Sequence, residues 1–322
     1  MTTDNYAIAI TARGQAECVA VEPCAAPGAG ELLGEAVASL ISPGTELNAC
    51  FYGEPPFPKF PGYATVMKVL EAGPNTSAKP GDHVLFMGNH RKYQVAPEAM
   101  TVRLPDGLDP AIGTVARLMG VSMTTLMTTS ARPGERVLVM GAGPVGYLAA
   151  HQFRQAGYDV AAYEPDARRR ESLAASGIRT VYAEPPTPEQ GGFALTVECS
   201  GHEAAVLTAC HATRLGGEVV MVGVPWQRRS DITAHEVLHA VFHRYIRLRS
   251  GWEWEIPLHA SDFRPHSIFG NLATALGWLR EGRIPLDGVI RLAAPSEAQE
   301  VYEALAAHSI PELLVAFDWR RD

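Results

Sequence analysis

The 322-residue chain is long enough for two domains, and its 47% hydrophobic and 19% charged residues are typical of a globular protein. A formal net charge of −8 argues against a nucleic-acid surface and against a basic membrane-binding patch. The N-terminus lacks the regions of a signal peptide, no apolar run is long enough to span a membrane, and the five cysteines are scattered. We therefore expect a cytoplasmic protein with reduced thiols and with no nucleic-acid or membrane partner.

The first third of the chain contains short β-like runs separated by turns rich in proline and glycine. The runs cover residues 6–10, 35–40, 65–70, 83–86 and 93–95. Turn signals such as Pro27-Gly28 and Gly73-Pro74 separate them. This pattern predicts an irregular, mostly β domain.

After residue 134 the pattern changes to strands that alternate with helices. The predicted strands are 136–140, 160–163, 180–182, 195–199 and 218–222, and the predicted helices are 147–156, 166–176 and 203–215. Such alternation indicates βαβ units and hence a doubly wound parallel sheet. Beyond residue 256 we expect helices at 271–281 and 296–308, and a last strand at 312–317 that rejoins the first domain.

A glycine-rich turn lies directly between the first predicted strand of this sheet and its helix. Gly141, Gly143 and Gly146 have the G-x-G-x-x-G spacing, with Pro144 and Val145 between the last two glycines. In dinucleotide-binding folds these glycines permit a tight turn, close approach of the pyrophosphate and close helix–strand packing. The five residues are therefore predicted to bind a dinucleotide.

An acidic residue near the end of the next strand bears on which dinucleotide binds. Glu164 stands 18 residues beyond Gly146, where a carboxylate can bond the 2′-hydroxyl of the NAD ribose and repel the 2′-phosphate of NADP. The neighbouring arginines include Arg169, which either belongs to a solvated helix face or accepts that phosphate. We expect NAD(H) in preference to NADP(H).

The order and spacing of six motifs resemble those of the medium-chain dehydrogenase/reductase superfamily over nearly the whole chain. The motifs lie at residues 44–46, 61–63, 80–84, 141–146, 198–201 and 216–220. The resemblance implies an α/β fold in which a Rossmann NAD(P)-binding domain, residues 123–251, is inserted into a β-rich GroES-like catalytic domain, residues 1–122 and 252–322. It also implies a small-molecule substrate, a homodimer joined through the Rossmann sheets, and further cofactor contacts at Ser200, Gly201, Gly223 and Val224.

The chain departs from the zinc-dependent alcohol dehydrogenases of that superfamily at each metal-ligand position. Pro43, Tyr63 and Val121 stand where the catalytic-zinc ligands would be, and residues 87–93 replace the four-cysteine lobe of the structural zinc. None of these three side chains offers a thiolate, imidazole or carboxylate. We expect an enzyme without zinc. The His235–His239 stretch formally matches H-E-x-x-H, but we interpret it as one face of a structural helix.

Without a metal, a protein hydroxyl must polarise the reacting oxygen and supply its proton. Tyr63 is the first candidate because it replaces a zinc ligand and should face the nicotinamide; the alternative is that its ring only fills the vacated cavity. Thr45 matches the superfamily's substrate-bonding hydroxyl, although it also suits a helix cap. Glu46 is a lesser catalytic candidate.

Four further residues are candidates for substrate contact. They are Tyr52, His90, Trp252 and Trp254. His90 is otherwise expected in a solvated polar loop, and the two tryptophans otherwise close a domain or dimer interface.

These observations favour an NAD(H)-dependent oxidoreductase that interconverts a secondary alcohol, such as a polyol, sugar or cyclitol, with a ketone. A more specific variant resembles the zinc-free bacteriochlorophyllide dehydrogenase branch, which oxidises a hydroxyethyl group on a chlorin; the G-T-E sequence and Phe317-Asp318-Trp319 support it. Two alternatives remain open, namely an NADPH-dependent enoyl or quinone reductase and a non-catalytic dinucleotide-binding protein.

Overall fold

One mostly β group of elements and one group that alternates strands with helices make up the chain. The computed structural model describes residues 4–187 and 190–321. They divide into a first unit, with the described residues up to 118, 272–282 and those from 286 onward, and a second unit, with 119–271 and 283–285. The domain limits expected at residues 122 and 252 stay a prediction.

The strands agree in place with most of the predicted runs and extend several of them. They are β1 (Asn5–Ala12), β2 (Gln15–Val21), β3 (Glu31–Leu40), β4 (Thr65–Ala72), β5 (His83–Phe86), β6 (Tyr93–Pro97), β7 (Thr101–Arg103), β8 (Arg136–Met140), β9 (Asp159–Tyr163), β10 (Thr180–Tyr182), β11 (Phe193–Glu198), β12 (Thr213–Met221), β13 (Arg247–Ser250), β14 (Ile290–Ala293) and β15 (Leu314–Asp318).

The helices begin with a single turn, α1, which continues directly into a π-helical turn. They are α1 (Pro43–Thr45), the π-helical turn (Glu46–Phe51), α2 (Pro110–Thr114), α3 (Ala116–Thr128), α4 (Pro144–Gln155), α5 (Ala167–Ala175), α6 (Glu203–Ala212), α7 (Ala234–Arg244), α8 (Ile268–Arg280) and α9 (Ala298–Ala306). No helix of the described residues has the length and hydropathy needed to cross a membrane.

The first unit is built on a seven-stranded sheet in the order β14-β15-β3-β4-β5-β7, with β6 also paired to β3. The last strand of the chain, β15, runs antiparallel to β3, with Ala316 opposite Leu40. The predicted return of the chain end to the first domain is therefore confirmed. Apolar side chains from β1, the π-helical turn, α9 and β15, among them Phe51 and Phe317, form a buried core beside the α1 turn.

The second unit is the predicted doubly wound parallel sheet. Its strands lie in the order β10-β9-β8-β11-β12-β13, and every pair along that order is parallel. Counted from β8, this is the 3-2-1-4-5-6 order of dinucleotide-binding folds. All six residues of β11 are buried, as expected of a central strand covered on both faces. The fold is thus α/β with a Rossmann sheet.

Sequence patterns missed several elements because their residues carry weak or mixed signals. The strand β2 alternates irregularly between exposed and buried residues, and α3 contains threonines and a glycine that have low helix propensity. The helix predicted at 203–215 ends at Ala212, and β12 begins at the next residue. The boundary moved because Thr213 bonds Thr196 of β11 inside the sheet.

Candidate active site

The glycine turn of the second unit can be occupied only by glycine at its key positions. Gly141 has a φ of +88°, and a Cβ atom built on Gly146 would lie 1.7 Å from the Gly141 carbonyl oxygen. The helix α4 starts immediately afterwards, and its N-cap residue Gly143 provides no side-chain cap. The first amides of α4 can therefore receive an anion. This geometry fits the pyrophosphate of a dinucleotide.

Glu164 links the end of β9 to this turn. Its side chain is almost entirely buried, its Oε2 accepts a hydrogen bond from the Ala142 amide at 2.6 Å, and its Oε1 accepts one from Asp166 at 2.9 Å. Each carboxylate oxygen has a second lone pair for another donor. A bond from Glu164 to a ribose hydroxyl stays a prediction.

The three arginines after Glu164 differ in what they contact. Arg170 donates to the carbonyl oxygens of Glu164 and Pro165 at 3.0 and 2.5 Å, so it holds the loop. Arg168 is exposed. The Nη1 atom of Arg169 lies 3.9 Å from the position that a Cβ of Gly143 would occupy. Of the three, Arg169 lies beside the glycine turn.

Two further turns pack together at the ends of β11 and β12. Glu198 accepts hydrogen bonds from the amides of Ser200 at 2.6 Å and Gly201 at 3.1 Å, and burial raises its pKa while these bonds lower it. A Cβ on Gly201 would lie 2.4 Å from the Val224 carbonyl oxygen, and one on Gly223 would lie 2.2 Å from the Gly201 amide nitrogen. The predicted contact residues are thus together, and Glu198, which was not a candidate, holds their turn.

Three hydroxyl groups of the first unit meet at Tyr63. The Tyr63 hydroxyl donates to Ser42 Oγ at 2.5 Å and is also hydrogen-bonded to Thr45. Neither Ser42 nor Thr45 makes a side-chain helix cap, so the capping interpretation of Thr45 was wrong. The Cζ atom of Arg117 lies 4.7 Å from the centroid of the Tyr63 ring. Ser42 and Arg117 were not candidates.

The pKa of Tyr63 reflects opposing influences from these neighbours. Burial raises the pKa above its ordinary value of 10.0; the bonds to Ser42 and Thr45 and the positive charge of Arg117 lower it, and the charge of Glu46 raises it. The net change is upward. Tyr63 is therefore a neutral phenol near pH 7, in the state that can donate a proton.

Glu46 lies in the interior of the first unit rather than open to a ligand. Its Oε1 accepts from the Ser42 amide at 2.8 Å, and its Oε2 accepts from the Tyr302 hydroxyl at 2.5 Å and lies 3.0 Å from His90 Nε2. Burial and then Glu46 raise the pKa of Tyr302 well above its ordinary value. Both carboxylate oxygens of Glu46 thus have partners in the fold.

His90 is part of the same network, so its expected place in a solvated loop was wrong. The side chain is fully buried, and its Nδ1 lies 2.7 Å from Ser39 Oγ, which also accepts from Trp319 Nε1 at 2.9 Å. Because Trp319 only donates, the Ser39 hydroxyl proton is available to Nδ1, which places the His90 proton on Nε2 toward Glu46.

The remaining substrate candidates lie at the surface of their own units. Tyr52 is 42% exposed in the first unit, and Trp252 and Trp254 are 68% and 46% exposed in the second. Their contact with a substrate stays a prediction.

The donor set for a metal ion is poor throughout the described residues. No three His, Cys, Asp or Glu side chains in residues 4–187 and 190–321 are grouped so that they could hold a metal. In the H-E-x-x-H stretch, the Glu236 carboxylate accepts bonds from the amide and hydroxyl of Thr233 and forms a capping box at the start of α7. Glu236 therefore caps the start of α7, in agreement with a structural role for this helix.

Comparisons with known proteins agree with this fold. No family model matches the chain. It is 26% identical over 319 residues to the 2-desacetyl-2-hydroxyethyl bacteriochlorophyllide A dehydrogenase of Rhodobacter capsulatus, an alignment that covers 91% of this chain and 92% of that relative. Over nine-tenths of its length the chain is thus similar to a dehydrogenase.

Two solved structures share this fold over nearly the whole chain. A zinc-binding dehydrogenase from Sinorhizobium meliloti bound to NADP has a TM-score of 0.79 at 20% identity and covers 98% of this chain and 100% of its own. Acetophenone reductase from Geotrichum candidum in complex with NAD has a TM-score of 0.80 at 15% identity, with 99% and 98% covered. At these identities the likeness shows the fold alone.

Proposed function

We propose that this protein is a zinc-independent, NAD(H)-dependent oxidoreductase that interconverts a secondary alcohol and a ketone. The observation that carries the proposal is the Tyr63 phenol, hydrogen-bonded to the Ser42 and Thr45 hydroxyls beside the Arg117 guanidinium. In the resemblance to zinc alcohol dehydrogenases, Tyr63 holds the position of a histidine ligand. We therefore propose that a hydroxyl cluster takes over the role of the metal.

The donor chemistry of the ligand positions supports zinc independence. Pro43 is the first residue of α1, and Val121 lies within α3. The Tyr63 hydroxyl is hydrogen-bonded to the hydroxyls of Ser42 and Thr45. Zinc requires thiolate, imidazole or carboxylate ligands, and these three side chains provide none.

In the reduction direction, Tyr63 supplies the proton that converts the carbonyl oxygen to a hydroxyl. When bound, the nicotinamide dinucleotide supplies the hydride for the carbonyl carbon, or accepts it in the oxidation direction. Tyr63 is suited to donate because burial keeps its phenol protonated at neutral pH. The Thr45 and Ser42 hydroxyls can each accept and donate a proton, so they can return one to Tyr63 after each turnover.

The second unit supports the choice of cofactor. The steric closeness of Gly141 and Gly146 suits a pyrophosphate, and the buried carboxylate of Glu164 beside Ala142 disfavours a 2′-phosphate. Arg169 is the residue that opposes this preference, since a guanidinium can pair with phosphate. We propose NAD(H) as the preferred cofactor.

A hydroxyethyl group on a chlorin is the second candidate substrate. The bacteriochlorophyllide dehydrogenase relative aligns over nine-tenths of both chains, which favours a shared substrate type. A hydroxyethyl carbon is itself a secondary alcohol, so the same roles of Tyr63 and its hydroxyl partners apply.

We also propose a homodimer formed through the Rossmann sheets. The strand β13 stands at one end of the six-stranded order, and a terminal strand can pair with another chain. Light scattering coupled to size-exclusion chromatography tests the dimer, and elution as a monomer contradicts it.

The Tyr63→Phe variant tests the proposed chemistry. It should lower kcat by at least about tenfold, since a general acid contributes factors of about 10² or more, while NADH affinity by calorimetry stays unchanged. Tyr6→Phe, an exposed tyrosine of the same unit, is the matched control. The substrates are polyols, secondary alcohols, aryl ketones and hydroxyethyl chlorins, with enones and quinones as the alternative class.

Several outcomes contradict the proposal. Equal turnover by Tyr63→Phe and wild type removes Tyr63 from its role. Stoichiometric zinc in the purified protein, together with loss of turnover on chelation, contradicts the proposal that the reaction needs no zinc. Consumption of NADPH with enones or quinones alone favours the alternative reductase class, and dinucleotide binding without turnover of any substrate favours a non-catalytic binder.

A further inference from the structure

We propose that Arg117 is a positioning residue for Tyr63, whose guanidinium holds the phenol ring and stabilises the phenolate left when the proton is given up. This inference rests on the proposed function for its role in turnover, but the contact itself does not depend on any substrate. Arg117 lies in the first turn of α3 and is 3% exposed.

The contact between the two side chains has the geometry of a cation–π pair. The Arg117 Cζ atom is 4.7 Å from the Tyr63 ring centroid, inside the distance of about 6 Å at which such pairs attract. A guanidinium is planar and always charged, so it can lie against the ring without losing its charge. Arg117 therefore fixes the orientation of the ring as well as the charge beside it.

The same contact becomes stronger when Tyr63 loses its proton. A neutral ring attracts the guanidinium only through its quadrupole, whereas a phenolate carries a full negative charge, and charges interact more strongly in a water-poor interior than in water. Arg117 thus favours the ionised form of Tyr63 over the neutral form.

Other groups around Tyr63 act in both directions. The Ser42 and Thr45 hydroxyls favour the phenolate by hydrogen bonding, and the Glu46 carboxylate opposes it. Glu46 is in turn bonded to His90 and Tyr302 on its other side. Arg117 is a positive charge of the first unit that acts on Tyr63.

Fluorine NMR of the protein labelled with meta-fluorotyrosine measures this effect without any substrate. The Tyr63 signal is assigned by its loss in Tyr63→Phe, and its shift is followed against pH in wild type, Arg117→Met and Arg117→Lys. Arg13→Met, which removes an exposed arginine of the same unit, is the matched control. Urea unfolding of each variant confirms that it is folded, and Arg117→Lys provides a charged variant should Arg117→Met fail to fold.

We expect the Tyr63 titration in Arg117→Met to move upward by about one pH unit, because removing the guanidinium takes more stabilisation from the phenolate than from the neutral ring. Arg117→Lys should move it less, because lysine keeps the charge but not the planar contact, and Arg13→Met should leave it in place. An unchanged titration in folded Arg117→Met and Arg117→Lys overturns the proposal.

The pH dependence of kcat/KM for alcohol oxidation separates this inference from the proposed function. If Tyr63 is the base in alcohol oxidation, the apparent pKa of the kcat/KM profile moves upward in Arg117→Met together with the pKa measured by NMR. If the pKa measured by NMR moves and the apparent pKa of the kcat/KM profile does not, Arg117 still stabilises the phenolate, and the proposed catalytic role of Tyr63 fails instead.

Discussion

The Nε2 atom of His90 lies 3.0 Å from Oε2 of Glu46, and neither side chain reaches solvent. This pair joins the loop between β5 and β6 to the π-helical turn after α1. Gly62 allows the approach, because a Cβ at that position would lie 2.6 Å from the His90 amide nitrogen. The pair therefore supports the turn that carries Ser42 and Thr45. We expect it to affect catalysis only by stabilising the folded protein.

Glu46→Gln should destabilise the protein by about 2–4 kcal/mol, because the NH2 group of Gln must face either the Ser42 amide or the Tyr302 hydroxyl and His90, all of which lie against the carboxylate. Urea unfolding at neutral pH measures the change, and Glu71→Gln, an exposed glutamate of β4, is the control. If Glu46 is instead a catalytic acid, the variant will keep its unfolding free energy and lose turnover.

Gly146→Ala should lower the affinity for NAD(H) by at least about tenfold, since the added methyl group forces the Gly141 carbonyl to move and such overpacking costs about 1–3 kcal/mol. Calorimetric titration of the dinucleotide measures the affinity. Gly277→Ala, in the open surroundings of α8, is the matched control and should leave binding intact. Full affinity in Gly146→Ala would mean that the dinucleotide binds elsewhere.

Arg169→Ala should weaken NADP(H) binding by about tenfold and NAD(H) binding much less, if its guanidinium serves the 2′-phosphate. The exposed Arg168→Ala is the control. Binding constants for both dinucleotides decide whether Arg169 contacts the 2′-phosphate or the pyrophosphate. Equal losses for NAD(H) and NADP(H) would assign Arg169 to the pyrophosphate that the two share.

His151 should make stability fall in mild acid. Burial lowers the pKa of His151 to about 4, and its Nε2 bonds Ser176 Oγ at 2.9 Å. As pH falls below about 6.5, the unfolded chain takes up a proton that the folded protein does not, so stability declines until about pH 4. The total decline from this group is about 3 kcal/mol.

Urea unfolding between these pH values tests that linkage. His151→Gln should remove most of the decline, and His211→Gln, an exposed histidine of α6, is the control. A slope that is the same in wild type and His151→Gln would show that other groups cause the acid sensitivity.

Local patterns predicted much of the second unit. The alternation of buried strands with helices indicated the parallel sheet, and the glycine spacing indicated the turn at Gly141, because these features depend on neighbouring residues and on backbone dihedrals that only glycine adopts. The predicted contact residues at Ser200 and Gly223 meet in the structure because parallel strands end at one edge of the sheet.

Residue type and spacing were enough to predict the fold class and the glycine turn, and to show that the zinc positions carry no ligand-forming side chains. Three contacts became visible only in the folded chain: Arg117 lies against Tyr63, Ser42 accepts a hydrogen bond from the Tyr63 hydroxyl, and His90 is buried with Glu46. These partners are between 21 and 54 positions apart in the chain. No local pattern encodes such contacts, because they form only when separate segments pack around one core.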